Sequence, residues 1–326
     1  MRFVLRRIGQ AAIVLIAAFT ATFVLLQLLP GDAILIKFAD PSLGLSPDQL
    51  DAIRASYGSD VPWWQQYLHA LAGFAAGDFG SSTQFGTPVR TMLAEALPST
   101  LLLATLGLAV AILLAVAVAA LSVLAPFGWL RAGIRQAPGL LVAVPVFWLG
   151  IILIQVFSFG LGWVPVVGAD PVRGLILPVL TLAVPISAPL AQVLVRSIDR
   201  VRAQPFITVL RAKGAPTAWI LTRSVARNAA LPALTIAGVL FGELVGGAVV
   251  TETVFGRTGI GRLTEQAVAN QDIPVLQGIV LLSALGFVLV GLVVDLLAPL
   301  IDPRQRRAEG VRRIRDPRPI TAEAIA

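Results

Sequence analysis

An all-α integral membrane protein of six transmembrane helices follows from three features of this sequence. Of its 326 residues 57% are hydrophobic and only 13% charged, with a mean hydropathy of +0.86. Soluble domains carry about a quarter charged residues, so this chain cannot cover itself with a solvated surface and lipid has to be part of its solvent. The second feature is a set of six apolar stretches, approximately 8–29, 100–124, 140–159, 174–195, 231–253 and 275–298. Each approaches the roughly 20 apolar residues that cross a bilayer core. The third is the distribution of Lys and Arg. Six spans put both termini on one side; if that side is the cytoplasm, only Lys37, Arg54, Arg90, Arg173, Arg257 and Arg262 lie outside, and the other nineteen of 25 lie inside. That is a strong positive-inside asymmetry, and both termini are expected in the cytoplasm. The net charge of +7 then belongs to Arg-rich inner loops rather than to a nucleic-acid surface. With no Cys and a single His69, thiol, disulfide and multi-histidine metal chemistry are excluded by count.

The first stretch follows Arg2, Arg6 and Arg7, as a signal peptide does. It is long, however, and runs into Leu28-Leu29-Pro30-Gly31-Asp32 with no small-residue cleavage pattern, so residues 1–30 read as a short inner terminus and a retained first helix. The loop 31–97 is long enough to be a small external domain. In it Ser46-Pro47-Asp48-Gln49 has the form of a capping box with Pro at the first helical position. Asp60-Val61-Pro62 opens a second helix with an apolar stripe of Trp63, Trp64, Tyr67, Leu68, Leu71 and Phe74, suited to packing or to docking a soluble partner. Thr87-Pro88 starts an amphipathic helix that leads to Pro98-Ser99-Thr100 and the second span. Residues 98–302 hold the remaining five spans, in which Pro138, Pro145, Pro178, Pro185 and Pro189 are expected to bend the third and fourth. A basic tail, 303–326, follows Asp302.

Between the fourth and fifth spans lies an inner loop, 196–230, that is unusual for a solvated connection. Pro205 suits the start of a short helix through Lys213, Gly214 the left-handed residue that ends it, and Pro216 the start of the next. Phe206, Val209, Leu210, Trp219, Ile220 and Val225 are spaced among Arg211, Lys213, Arg223 and Arg227. Apolar residues around a fixed turn imply that something docks there, either a partner or anionic lipid.

The segment "RAKG" at 211–214, with Pro232 of "RNAALP" eighteen residues beyond the glycine, resembles the cytoplasmic loop of binding-protein-dependent ABC importer permeases. The similarity is greatest to the B-type permease of the dipeptide, oligopeptide and nickel importers. Further fragments agree in order: "LLPGDA" at 28–33, "GDFGSS" at 77–82, "LPSTLLLA" at 97–104, "TETVFGRTGIGRL" at 251–263, "NQDIP" at 270–274 and "DLLAPLIDPR" at 295–304. The resemblance implies the type I importer permease fold in a bacterial or archaeal inner membrane. It also implies a coupling helix seated in a groove of a separate ATPase, with Phe206, Leu210, Arg211, Ala212, Lys213, Gly214, Pro216 and Trp219 at that contact. The implied partners are a C-type permease paralogue, two ATP-binding subunits that hold ATP and Mg, and an external substrate-binding protein. No cofactor is expected in this chain itself. Three departures bear on subfamily and cargo: Thr208-Val209-Leu210 in place of Glu-Ala-Ala, Ala33 in place of Pro, and Arg257-Thr258-Gly259 in place of Trp-Pro-Gly. Dipeptides, longer peptides, nickel chelates, glutathione and haem-like ligands all stay open.

No G-x-x-x-x-G-K-[ST] phosphate loop occurs, so nucleotide chemistry of that kind has to sit on another polypeptide. Glu243 falls near the centre of the fifth stretch, where an acidic side chain costs about 3 kcal/mol on insertion scales. It reads either as a pathway carboxylate for a cationic or amino group on cargo, or as a carboxyl hydrogen-bonded across a helix interface. Glu252, at the outer end of the same stretch, reads as a gate or partner contact, or as interfacial structure. Asp295 reads as an interfacial anchor. A partner-free secondary transporter or channel is the alternative function, opposed by the docking loop and by the lack of paired broken spans. An intramembrane enzyme is opposed by the absence of HExxH and GxSxG.

Overall fold

A computed structural model describes residues 2–27, 46, 48–49, 61–166, 170 and 172–301. Backbone groups in lipid have to be satisfied within the segment, which makes an apolar run helical, and every named element of the described residues is a helix. They are α1 (Arg2–Gln27), α2 (Trp63–Ala75), α3 (Val89–Leu124), α4 (Gly128–Val142) and α5 (Val146–Leu153), which continues into a π-helical stretch, Ile154–Gly160. Then come α6 (Arg173–Arg202), α7 (Pro205–Ala212), α8 (Thr217–Trp219) with a second π-helical stretch Ile220–Val225, α9 (Ala226–Gly247), α10 (Val249–Val254), α11 (Ile260–Ala269) and α12 (Ile273–Ile301).

Four helical segments are long and apolar enough to cross a membrane: Arg7–Leu26, Val89–Leu124, Arg173–Arg202 and Ile273–Asp295. The third expected span is interrupted, and the fifth continues backwards across a bend into the expected inner loop. Gly128–Val142 and Val146–Gly160 meet at 104°, and Thr217–Ala229 and Leu231–Val245 at 53°. Among the described residues the count is therefore four, or six if each bent pair is one crossing. The third span, expected over 140–159 with bends at Pro138 and Pro145, stops at Val142 and restarts after Pro145, which sits at the N-cap of α5, while Pro138 is taken up within α4. Proline lacks the N–H that would continue the ladder, and it disfavours helical geometry in the residue before it. Pro232, within α9, has the same missing donor beside the second bend. In contrast α6 runs as one helix through Pro178, Pro185 and Pro189, and α3 runs through Pro98, so the separate amphipathic helix expected before the second span is simply its first turns.

The α3–α6 pair is the centre of the molecule and its most extensive helix contact. Gly107, Ala111, Ala115 and Ala119 recur every four residues on α3, a small-residue stripe that lets backbones approach. A Cβ on Gly107 would already touch the Leu182 side chain of α6 at 3.5 Å. Four apolar clusters are stacked along α3. From one end they centre on Val89 and Leu93 with Ile260 and Val275, on Leu103 with Leu182 and Leu244, on Ala111 and Ala115 with Leu190 and Leu240, and on Ala119 and Val123 with Ile207 and Ile220. The chain thus has an α11 end and a Gly214 end, joined by α3.

Helix α2 lies on α1: Phe19 packs against Tyr67 and Phe74, Phe23 against Tyr67, and the Thr20 and Tyr67 hydroxyls are 2.8 Å apart. Trp63, Trp64 and Leu68 of the stripe remain exposed. The capping box is present: the Ser46 N–H donates to Gln49 Oε1 at 2.8 Å and the Gln49 N–H to Ser46 Oγ at 3.3 Å. The fragment at 28–33, Asp302 and the basic tail 303–326 lie outside the described residues.

Candidate functional site

Helix α7 starts with Pro205 at its first turn, where the lost N–H had no partner to lose. It stops because Gly214 takes φ +80°, a conformation that costs any residue with a Cβ about 1–2 kcal/mol. The turn is a Schellman motif. The Gly214 N–H donates to the Arg211 carbonyl at 2.9 Å, and the Ala215 N–H to the Leu210 carbonyl at 3.1 Å. Pro216 then caps the start of α8.

The two sides of this bent element differ. Ile207 is 0% exposed and, with Ile220 and Val225, packs on Ala119 and Val123 of α3 and on Ile198 and Val201 of α6. Burying a side chain of that size contributes about 1.5–3 kcal/mol, which seats the inner face. The outer face carries Phe206, Val209 and Trp219 at 40%, 54% and 44% exposure. Arg211, Ala212, Lys213, Gly214 and Pro216 are exposed beside them, and Leu210 is half-buried at the edge. Ile220 and Val225, grouped in the sequence reading with the exposed apolar residues, belong to the inner face, and Ile207 was not singled out there at all. The signal for it was available: in an eight-residue amphipathic helix with Phe206 and Val209 outward, position 207 falls on the opposite side. Next to this element, Arg135 of α4 forms a bidentate pair with Asp199 of α6 at 2.8 and 3.0 Å. Arg7 of α1 pairs with Asp295 of α12 at 2.7 Å.

The α11 end is built on two buried carboxylates. Glu252, fully buried in α10, accepts from the Thr100 hydroxyl at 2.6 Å through Oε1. Its Oε2 accepts from the Gly261 and Arg262 N–H groups at 2.8 and 3.1 Å. Thr100 Oγ1 in turn accepts from the Ile260 N–H at 2.8 Å. Three of the N–H groups that a helix leaves unpaired at its start are therefore satisfied by Glu252 and Thr100, with the anion at the favourable end of the α11 dipole. The approach is close enough to require glycine twice. A Cβ at Gly259 would collide with the Glu252 carboxylate, and one at Gly261 with the backbone of Val249.

Asp272 closes the other end of α11. Its N–H donates to the Ala267 carbonyl at 2.8 Å, and its carboxylate accepts from the Ser82 hydroxyl and from the Thr83 and Gln84 N–H groups at 3.2 and 3.3 Å. Four fragments that were separate in the sequence, at 77–82, 97–104, 251–263 and 270–274, thus meet around one ten-residue helix. Thr100, Ser82 and Asp272 were not singled out individually, because nothing in spacing alone pairs residues 152 and 190 positions apart.

Glu243 and Glu252 are held quite differently. Glu252 offers no free oxygen, since both are bonded inside the protein. Glu243 is exposed on α9, with no hydrogen bond or ion pair to any described residue. Below it Gly242 lies so near α12 that a Cβ would strike the Phe287 ring at 2.6 Å.

These features define, among the described residues, an all-helical protein with membrane-spanning helices, a bent element with an exposed apolar and basic face at one end and a hydrogen-bonded cap at the other. Residues 111–307 match the family described as binding-protein-dependent transport system inner membrane component, and residues 1–104 match the N-terminal family of the same membrane components. The chain belongs to this family of transport permeases. It is 34% identical over 307 residues to the glutathione transport system permease protein GsiC of Pectobacterium atrosepticum, covering 93% of this chain and 98% of the relative. It is 32% identical over 313 residues to the oligopeptide transport system permease protein AppB of Bacillus subtilis, covering 93% and 98%. In fold it is similar to a chain of the inward-facing MetNI methionine ABC transporter, with a TM-score of 0.55, 16% identity, and coverage of 64% of this chain and 96% of that one.

Proposed function

We propose that this chain is one of two permease subunits of an ATP-driven importer, and that it passes peptides or a related small solute through the cytoplasmic membrane. The observation that carries this reading is the outer face of the bent element at Gly214. Phe206, Val209 and Trp219 stand exposed beside Arg211 and Lys213, on a backbone locked from inside by Ile207. A loop that met only water would have no use for such a face. Its occupant is a separate ATP-hydrolysing subunit, which binds the ATP and Mg for which this chain has no phosphate loop. Nucleotide-driven closure of two such subunits would move the docking element and the helices packed on it as a body, reorienting the pathway.

The Gly214 end and both termini are then cytoplasmic, and α2 and α11 face outward, in keeping with the Lys and Arg asymmetry. One docking element per chain requires a second permease to engage two ATPases, and the family favours a C-type paralogue over a second copy. An external binding protein delivers the cargo. The exposed carboxylate of Glu243, without a partner among the described residues, supports a place on the pathway for a cationic or amino group. The names of the relatives support peptide-class cargo.

Affinity purification of the tagged chain from its own membranes tests the reading. A second permease and two ATPases should co-purify, and reconstitution into liposomes should give ATP hydrolysis that Gly214→Val abolishes. A purified chain that moves solute alone down an ion gradient would replace this reading with a secondary transporter.

A further inference from the structure

We infer that Thr100 and Glu252 form a latch through which α3 carries the outer helix α11 as one rigid body with the cytoplasmic docking element. The inference rests on the ATP-driven reading above and assigns a positioning role to residues which that reading leaves unused. Helix α3 is 36 residues long, about 54 Å at 1.5 Å per residue. One end packs through Ala119 and Val123 on Ile207 of the docking element; the other packs through Val89, Leu93 and Ala96 on Ile260 and Ala267 of α11. It therefore touches both places where an importer has to act.

The rod has one weak point. Pro98 lacks the N–H that would bond the Ala94 carbonyl, so the helix ladder is interrupted two residues before Thr100. The latch closes just beyond that gap. Thr100 donates to Glu252 and accepts from Ile260, while Glu252 holds the next two N–H groups of α11. Ser82 and Asp272 fix the opposite end of α11 to the turn that enters α3. Helix α11 is thus tied to α3 on both sides of Pro98. Its connection to α9 differs: α9 ends at Gly247 and α10 begins at Val249, with Ala248 between them. Helix α9 packs on α3 through Leu244 on Leu103 and Leu240 on Ala111 and Ala115, apolar contacts with no hydrogen bond among the described residues, so a movement of α3 against its neighbours falls there and not within the hydrogen-bonded α3–α11 pair.

The chain has no native Cys, so spin labels can be placed singly. In the complete complex we would label Glu265→Cys on α11 with Leu113→Cys on α3, and separately Glu265→Cys with Val239→Cys on α9; all three positions are exposed. Distances are measured without nucleotide and with Mg-ATP and vanadate. The α11–α3 distance should be single and unshifted, while the α11–α9 distance shifts. Thr100→Val, which keeps shape but loses both hydrogen bonds, should broaden the α11–α3 distribution and make it nucleotide-dependent, and Thr100→Ser should restore it. If Thr100→Val does not assemble, Glu252→Gln is measured in its place. It is nearly isosteric but has a single acceptor oxygen, so either the Thr100 hydroxyl or the N–H groups of Gly261 and Arg262 lose their acceptor. An α11–α3 distance that moves with nucleotide in the unmodified latch, or stays narrow in the variant, overturns the inference. Failure of the ATPases to bind at all would instead overturn the ATP-driven reading and is scored separately by co-purification.

Discussion

Gly214 and Gly259 are both glycines of necessity, for different reasons. At Gly214 space is open and the backbone is the constraint, with φ +80°. Gly214→Ala should therefore strain the turn by about 1–2 kcal/mol and weaken retention of the ATPase subunits out of proportion to the small fall in melting temperature of the detergent-purified chain. At Gly259 φ is extended and the constraint is the Glu252 carboxylate lying where a Cβ would go. Gly259→Ala should destabilise the fold by about 1–3 kcal/mol through overpacking, seen as a lower melting temperature, while retention of the ATPase subunits is kept. Both comparisons use co-purification and thermal unfolding on the same preparations, and a reversed pattern would contradict the two assignments.

At the level of elements, α7 has one face packed in the protein and an exposed one that we propose binds the ATPase, and adjacent residues separate them. Ile207→Ala leaves a cavity in the cluster shared with α3 and α6, and should destabilise by about 2–5 kcal/mol. Phe206→Ala removes a side chain that is 40% exposed; the loss of stability should be well below that at Ile207, while ATPase association falls. Equal losses of stability from both would mean that the outer face is packed against the protein's own residues. Nearby, the Arg135–Asp199 pair has good bidentate geometry, but its side chains are 37% and 45% exposed. A double-mutant cycle should therefore return a coupling below about 1 kcal/mol that shrinks with salt.

For the molecule as a whole the topology is open to direct measurement. Lys213→Cys and Glu265→Cys, in an otherwise Cys-free chain, should react with a membrane-impermeant maleimide from opposite faces of the membrane. Reaction of both from one face would refute the orientation assigned to α3 and require the crossings to be recounted. The bent pairs bear on the same count: if Gly128–Val142 lies along the membrane rather than in it, a label at exposed Leu140, near its far end, should be accessible from the side of Lys213, whereas a crossing helix would bury it in the bilayer.

Helicity, membrane residence and the bend at Gly214 were legible from the linear chain, because each rests on local causes. Apolar length makes a helix in lipid, and Pro205, Gly214 and Pro216 act on the backbone within a few residues of themselves. The break at Pro145 was half legible: the proline was visible, but whether its helix would bend, as α4 and α5 do at 104°, or continue, as α6 does through three prolines, depends on neighbours. Glu252 shows where local reading stops. From the sequence it was an acidic residue at the end of an apolar stretch, open to several roles. Only folding brings Thr100 and the first turn of α11 to its oxygens, because a carboxylate is defined by its donors, and those donors arrive from segments far apart along the chain.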